Sequence, residues 1–250
     1  MNNRRDFITK ATTATVAALT IPSIVTSALA ASSGKKRVSI EAGNTILFQG
    51  DSITDWGRDK SKNEPNTNAA LGGGYAMQAA AGILFKYADK NLQVYNKGIS
   101  GNKVYQLADR WDADCLNIKP NILSILIGVN DFWHTLTGGY KGTVENYTND
   151  YKKLLDRTKQ ALPDVKLIIG EPFAVKGVKA VDDKWYPAFD AYRASAKDIA
   201  NQYDAVWIPY QSIFDKAIEL APGNYWTIDG VHPSVAGAQL MAHAWLETVK

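Results

Sequence analysis

Ile122-Leu123-Ser124-Ile125-Leu126-Ile127, followed by Gly128-Val129-Asn130-Asp131, is the stretch on which the fold turns. Its first six residues are apolar apart from Ser124, the pattern of a strand buried on both faces of a sheet. Val165 to Ile169 obeys the same rule. Thr45 to Gln49, rich in Ile, Leu and Phe, is a further strand, Leu92 to Tyr95 a weaker one, and Ala205 to Ile208 a fifth. The gaps between them carry helical spacing. Val144, Tyr147, Tyr151, Leu154, Leu155, Thr158 and Leu162 fall on one helical face, with Thr143 placed as its N-cap. Trp185, Phe189, Tyr192, Ala196, Ile199 and Tyr203 repeat the pattern, and further helices are expected over Gly74–Tyr87, Asn102–Trp111 and from Ser234 towards Val249. Strand alternating with helix implies parallel strands joined by right-handed crossovers. The expected fold is therefore α/β, a three-layer α/β/α sandwich around a five-stranded parallel sheet. In such sheets the site lies at the carboxyl ends of the strands.

The first thirty residues have a different character. Arg4, Arg5 and Lys10 form a basic start, an apolar but Thr-rich stretch runs from Ala11 to Leu29, and Ala28-Leu29-Ala30 has the small-x-small form of a cleavage site. Asn3-Arg4-Arg5-Asp6-Phe7-Ile8 resembles a twin-arginine signal. Residues 1–30 are thus expected to be a cleaved export signal, and residues 31–250 a single domain in the periplasm or outside the cell. A retained membrane anchor is the competing reading. Thr12, Thr13, Thr15, Thr20, Pro22 and Ser23 weaken it, since a bilayer span needs ~20 apolar residues.

Removing residues 1–30 takes Arg4, Arg5, Lys10 and Asp6 from the 28 basic and 25 acidic residues, leaving 25 and 24. A balance so close to neutral points to no nucleic-acid partner, and it specifies no protein partner or oligomeric state. After signal cleavage no stable membrane insertion is expected. Cys115 is the only cysteine, so an internal disulfide and a thiolate zinc cluster are both excluded. It reads as a small buried apolar side chain.

The polar segments at the strand ends carry the chemistry. After the first strand comes Gly50-Asp51-Ser52-Ile53-Thr54. A serine at a strand-to-helix turn can present its hydroxyl at the sheet edge, although this motif alone also fits a serine that caps a helix. Thr54 stands where the Gly-x-Ser-x-Gly elbow would need glycine. After the second strand, Asn96-Lys97-Gly98-Ile99-Ser100-Gly101-Asn102 contains two glycines that let backbone approach a ligand, with the Gly101 N–H available to donate. By itself it is also an ordinary turn. After the third, Asn130 can offer its amide to a developing oxyanion or close the strand in an Asx-turn. Near the C-terminus, Asp229-Gly230-Val231-His232-Pro233 places a carboxylate three residues from an imidazole in a loop. Asp229 can then orient His232 while the other ring nitrogen takes a serine proton. A metal pair would need further ligands, and with only three histidines the chain offers no His cluster to supply them. His134 lies close to Asn130 and is a candidate pocket residue, whereas His243 sits in the last helix and reads as structural.

The four segments form an ordered set that resembles the SGNH hydrolases, also called GDSL esterases. The family's four letters are matched by Ser52, Gly101, Asn130 and His232, and the resemblance runs from Phe48 to the final helix. It implies a flavodoxin-like topology, with Ser52 as nucleophile, His232 as general base and then acid, and Asp229 as its orienter. The Ser52 N–H, the Gly101 N–H and the Asn130 amide would form the oxyanion hole. Position 53 is Ile where the family's other name has Leu, a change common in its hydrolase branch. The implied two-step acyl transfer needs no metal and no organic cofactor.

For the substrate, Trp56, Trp133, Phe173 and Trp226 lie near strand ends or motifs, where they can stack on sugar rings or simply pack the core. Asp51, beside the nucleophile, is a further candidate contact. Export together with these aromatics favours a short-chain, acetyl-directed carbohydrate esterase acting on an acylated carbohydrate or another small ester. A lipid-directed esterase, such as a lysophospholipase or thioesterase, is the alternative, but no amphipathic lid is apparent. A non-catalytic carbohydrate-binding protein on a hydrolase scaffold is a third reading, against which the complete Ser52, Asp229 and His232 set stands.

Overall fold

The computed structural model describes residues 20–33 and 36–250. Five strands, β1 (Thr45–Gly50), β2 (Gln93–Asn96), β3 (Ile122–Leu126), β4 (Lys166–Gly170) and β5 (Val206–Ile208), form one sheet in the order β2-β1-β3-β4-β5 with every pairing parallel. This is the flavodoxin-like order. The central strand β3 is buried along its whole length, as its apolar run requires. Its one hydroxyl, on Ser124, accepts a hydrogen bond from Trp245 Nε1 at 3.0 Å, so the polar atom is satisfied inside the core.

Eleven α-helices are described. α1 (Ile21–Ser33) precedes the sheet, and α2 (Ser52–Asp55), α3 (Asn68–Leu71) and α4 (Tyr75–Lys86) lie between β1 and β2. α5 (Val104–Asp109) links β2 to β3, α6 (Val129–Thr137) and α7 (Val144–Ala161) link β3 to β4, and α8 (Ala188–Gln202) links β4 to β5. α9 (Tyr210–Ala217), α10 (Gly223–Trp226) and α11 (Val235–Leu246) complete the chain. α5, α7 and α8 pack side by side, and α4 packs with α11 in a second helical group that includes α1 and α9. These groups are the outer layers of the sandwich. The buried indoles of Trp111 and Trp185 find acceptors within the fold: Trp111 Nε1 donates to Thr158 Oγ1 at 2.9 Å and Trp185 Nε1 to the Ala180 carbonyl at 2.8 Å.

The strands and most helices match the periodicity closely. Thr143 does cap α7, its hydroxyl accepting from the Asn146 N–H while the Asn146 side chain accepts from the Thr143 N–H. Two helices begin or end elsewhere. Trp185 closes a separate 3-10 turn, Asp183–Trp185, and α8 starts at Ala188. Pro187 stands between them, and its missing N–H is tolerated only at a helix start. The helix expected over Asn102–Trp111 is shorter, Val104–Asp109, and gives way to a π-turn at Asp112–Leu116.

Residues 1–19, which carry the paired arginines, lie outside the described residues. The remainder of the signal-like segment forms α1, whose Ile24 and Val25 are buried where the helix meets β5, α9 and α11. No helix among the described residues is long and apolar enough to cross a membrane. Cys115 is buried, and its thiol is pushed up to about 12, chiefly by burial.

Candidate active site

The register of the sheet assembles the site. Gly50 pairs with Leu126, so β1 and β3 end side by side, and the segments carrying Ser52 and Asn130 leave from adjacent strand ends. Phe48 pairs with Asn96, which brings the Gly101 turn up on the other side of β1. These are the carboxyl ends of the strands, where the topology places ligands.

Ser52 is the first residue of α2. Asp51 is its N-cap and accepts from the Ile53 N–H at 3.0 Å. Ser52 Oγ lies 2.8 Å from His232 Nε2, a contact between residues 180 positions apart. His232 Nδ1 lies 2.7 Å from Asp229 Oδ2. The Asp229 Oδ1 atom accepts from the N–H groups of Val231 at 2.9 Å and His232 at 2.8 Å, so the loop folds around its own carboxylate. The loop is anchored in turn by Val175 N–H donating to Gly230 O and Ala180 N–H donating to Asp229 O. Partial burial pushes the Asp229 carboxyl up, but the hydrogen bonds from the imidazole and the two N–H groups outweigh it and bring it down to about 2. The hydrogen bond to Asp229 raises His232, against the opposing effect of burial. With Nδ1–H donating to Asp229, Nε2 is free to accept the Ser52 proton.

Gly101 has φ +80°, a left-handed backbone that favours glycine, and a side chain there would point into open space. Asn130 is buried in the first turn of α6, its amide donating to Asn102 O at 3.2 Å. The Ser52 and Gly101 N–H groups have no acceptor among the described residues. The segments that carry Ser52, Gly101 and Asn130 thus leave the sheet from the ends of three neighbouring strands, β1, β2 and β3.

Trp56 and Trp133 flank the imidazole, their rings centred 6.0 and 6.2 Å from the His232 ring. His134 is half-buried on α6, and burial together with the nearby Lys103 charge lowers its pKa. The other three candidate contacts are placed differently. Phe173 is fully buried, stacked on Phe214 at 4.4 Å, and belongs to the core. Trp226 is buried, with its Nε1 donating to the Ala217 and Ala221 carbonyls at 3.0 Å. Asp51 is fully buried and serves as a helix cap, out of reach of a substrate. Sequence reasoning passed over Asp55 and Asn96. Asp55 accepts from Ser100, and Asn96 Nδ2 donates to the Thr54 and Leu71 carbonyls. Both stand in or beside the recognised motifs, but only the folded chain reveals their partners. Among the described residues no group of three or more His, Cys, Asp or Glu side chains is arranged to hold a metal ion.

Residues 48–240 match the model of the GDSL-like lipase/acylhydrolase family. The chain is 33% identical over 214 residues to an acetylxylan esterase of Geobacillus stearothermophilus, covering 85% of this chain and 96% of that one. The crystal structure of an acetylxylan esterase from the same organism superposes with a TM-score of 0.74 at 32% identity, over 84% of this chain and 95% of the other. A protein from Parabacteroides merdae assigned as a GDSL-like lipase is more similar, at 50% identity and a TM-score of 0.84 over 85% of this chain and 98% of its own. The family match over residues 48–240, the 33% identity to an acetylxylan esterase over most of both chains and the close superpositions lead to one conclusion: the chain belongs to the GDSL-like lipase/acylhydrolase family of carboxylic ester hydrolases.

Proposed function

We propose that the protein is an exported carbohydrate O-acetylesterase that works through an acyl-enzyme on Ser52. The observation that carries this reading is the Ser52 Oγ to His232 Nε2 distance of 2.8 Å, with Asp229 bonded to the far ring nitrogen. In the proposed reaction Ser52 Oγ attacks the ester carbonyl carbon while its proton passes to His232 Nε2. The tetrahedral oxyanion accepts from the Ser52 N–H, the Gly101 N–H and the Asn130 amide, each such donor contributing about 3–4 kcal/mol to transition-state stabilisation. Collapse breaks the bond to the leaving oxygen, and His232 returns the proton to the departing sugar hydroxyl. A water gives its proton to His232 Nε2 as it attacks the acyl carbon; the bond from that carbon to Ser52 Oγ then breaks, His232 returns the proton to Oγ, and the carboxylic acid leaves.

Trp56 and Trp133 beside His232 favour a short acyl group and offer flat faces to a sugar ring. The similarity to an acetylxylan esterase supports acetyl as that group and a polysaccharide as its carrier. The basic start, apolar stretch and small-residue cleavage site of residues 1–30 support export.

The test is acetate release from acetylated xylan, set beside hydrolysis of short- and long-chain 4-nitrophenyl esters. Acetate release and a preference for the acetyl ester are expected, and Ser52→Ala is expected to lower turnover by about a thousandfold or more while leaving the fold intact. A preference for long acyl chains, or a Ser52→Ala protein with near-full turnover, would overturn the reading.

A further inference from the structure

The Gly101 turn is fastened unevenly. On one flank it meets α6, where Asn130 Nδ2 donates to Asn102 O at 3.2 Å and Asp131 Oδ1 accepts from the Val104 N–H at 3.2 Å. On the other it meets α2, the helix that carries Ser52. There Gly98 packs so closely that a Cβ would fall 2.4 Å from the Asp55 nitrogen. Asn96 Nδ2 donates to Thr54 O at 2.7 Å, and its Oδ1 accepts from the Gly98 N–H at 2.9 Å. These contacts hold the base of the turn. Its tip, Ser100-Gly101, is reached from α2 by Asp55: the carboxylate Oδ2 accepts the Ser100 N–H at 3.0 Å and the Ser100 Oγ–H at 2.6 Å.

We propose that Asp55 is a positioning residue of the oxyanion hole, tying the turn that presents the Gly101 N–H to the helix that presents Ser52 and its own N–H. The inference rests on the serine-esterase reading above. Asp55 lies three residues after Ser52, so both project from a single turn of α2. Ser100 immediately precedes Gly101, and the peptide bond between them contains the donor in question. A carboxylate accepting two hydrogen bonds from Ser100 therefore fixes both the position and the tilt of that peptide relative to the nucleophile. Such alignment matters because an oxyanion hole acts by being organised before charge develops. The Asp55 side chain is 1% exposed, and Lys60 Nζ sits 2.9 Å from Oδ2 as a half-exposed counter-charge. Burial pushes the Asp55 carboxyl up, but Lys60 and Ser100 outweigh it and hold the group below the ordinary range, in the ionised form that accepts both bonds.

The role makes a specific demand on kinetics. Ground-state binding of a small ester depends little on the oxyanion hole, while transition-state binding depends on it heavily. Asp55→Asn and Ser100→Ala are each expected to lower kcat on 4-nitrophenyl acetate, by about 10- to 100-fold for Asp55→Asn, with KM changed little. The acid limb of kcat/KM against pH should stay where it is in the wild type, because His232 and Asp229 are untouched. The two substitutions should also be non-additive, Asp55→Asn costing less in the Ser100→Ala background than alone. Ser100 is exposed, so Ser100→Ala supplies the answer if Asp55→Asn fails to fold. Full kcat in the folded variants, or a change confined to KM, would overturn the assignment of Asp55. A wild-type protein inert toward 4-nitrophenyl acetate would instead sink the esterase reading on which the assignment stands.

Discussion

Asp229 and His232 are coupled tightly enough to set the pH response of the proposed chemistry. His232 takes the Ser52 proton only when its Nε2 is free, so kcat/KM is expected to rise with pH as the imidazole deprotonates. Because Asp229 raises the His232 pKa above its ordinary 6.5, the midpoint of that rise should lie above 6.5. Asp229→Asn removes the charge that raises it and the acceptor that selects the tautomer. The midpoint should then move down, and kcat should fall by about 10³- to 10⁴-fold. A pH profile of acetyl-ester hydrolysis for both proteins checks the two effects together, and an unmoved midpoint would contradict the pairing seen at 2.7 Å. The residue scale is also where the sequence was least able to discriminate. Trp56, Trp133, Phe173 and Trp226 are all aromatic residues near motifs, yet two flank His232 and two are core. What separates them is the neighbour each ring finds, such as Phe214 for Phe173, and that neighbour is remote in sequence.

Among the elements, α7 was legible from end to end because its signals are local. Its apolar residues share one face, and Thr143 and Asn146 bond reciprocally at its start. Thr143→Ala breaks that reciprocity and is expected to cost about 1 kcal/mol of stability. A lower urea midpoint at unchanged slope is the corresponding measurement. Further along the same helix, Thr158 accepts from the buried Trp111 Nε1. Thr158→Val keeps the shape but orphans that donor, and is expected to cost about 1–3 kcal/mol, read as a lower urea midpoint. α8 starts later than its apolar spacing suggests, for an equally concrete reason. Trp185 is buried like a residue on the helix face, but it reaches the core from a 3-10 turn on the far side of Pro187.

For the molecule as a whole, two buried carboxyls tie stability to pH in the acid-to-neutral range. Asp51 and Asp131 are raised from 3.8 to about 7, in each case chiefly by burial. The folded state therefore keeps these protons up to about pH 7, whereas the unfolded chain releases them near 3.8. Their contribution to stability is full below 3.8 and is lost as pH rises through about 7. Asp229 acts in the other direction and in another window, its contribution being present above 3.8 and lost as pH falls to about 2. Tm is thus expected to decline as pH rises between these carboxyl midpoints. Asp131→Asn keeps an acceptor for the Val104 N–H and removes one titration, so it should flatten the decline and raise Tm at alkaline pH. An unchanged slope in Asp131→Asn would contradict the buried-carboxyl account.

The amino-acid sequence alone determined what depends on near neighbours. Continuous apolar runs marked strands buried on both faces, helical spacing marked the layers, and Asp-x-x-His placed a carboxylate within reach of its imidazole. These features need only a few residues and the geometry of one element. Tertiary structure decided which strands lie side by side, and hence that Ser52 would meet His232 across 180 residues and that Asp55 would reach Ser100. Such contacts depend on the order and register of a parallel sheet. That order is set by the packing of the whole core, which no local stretch of sequence contains.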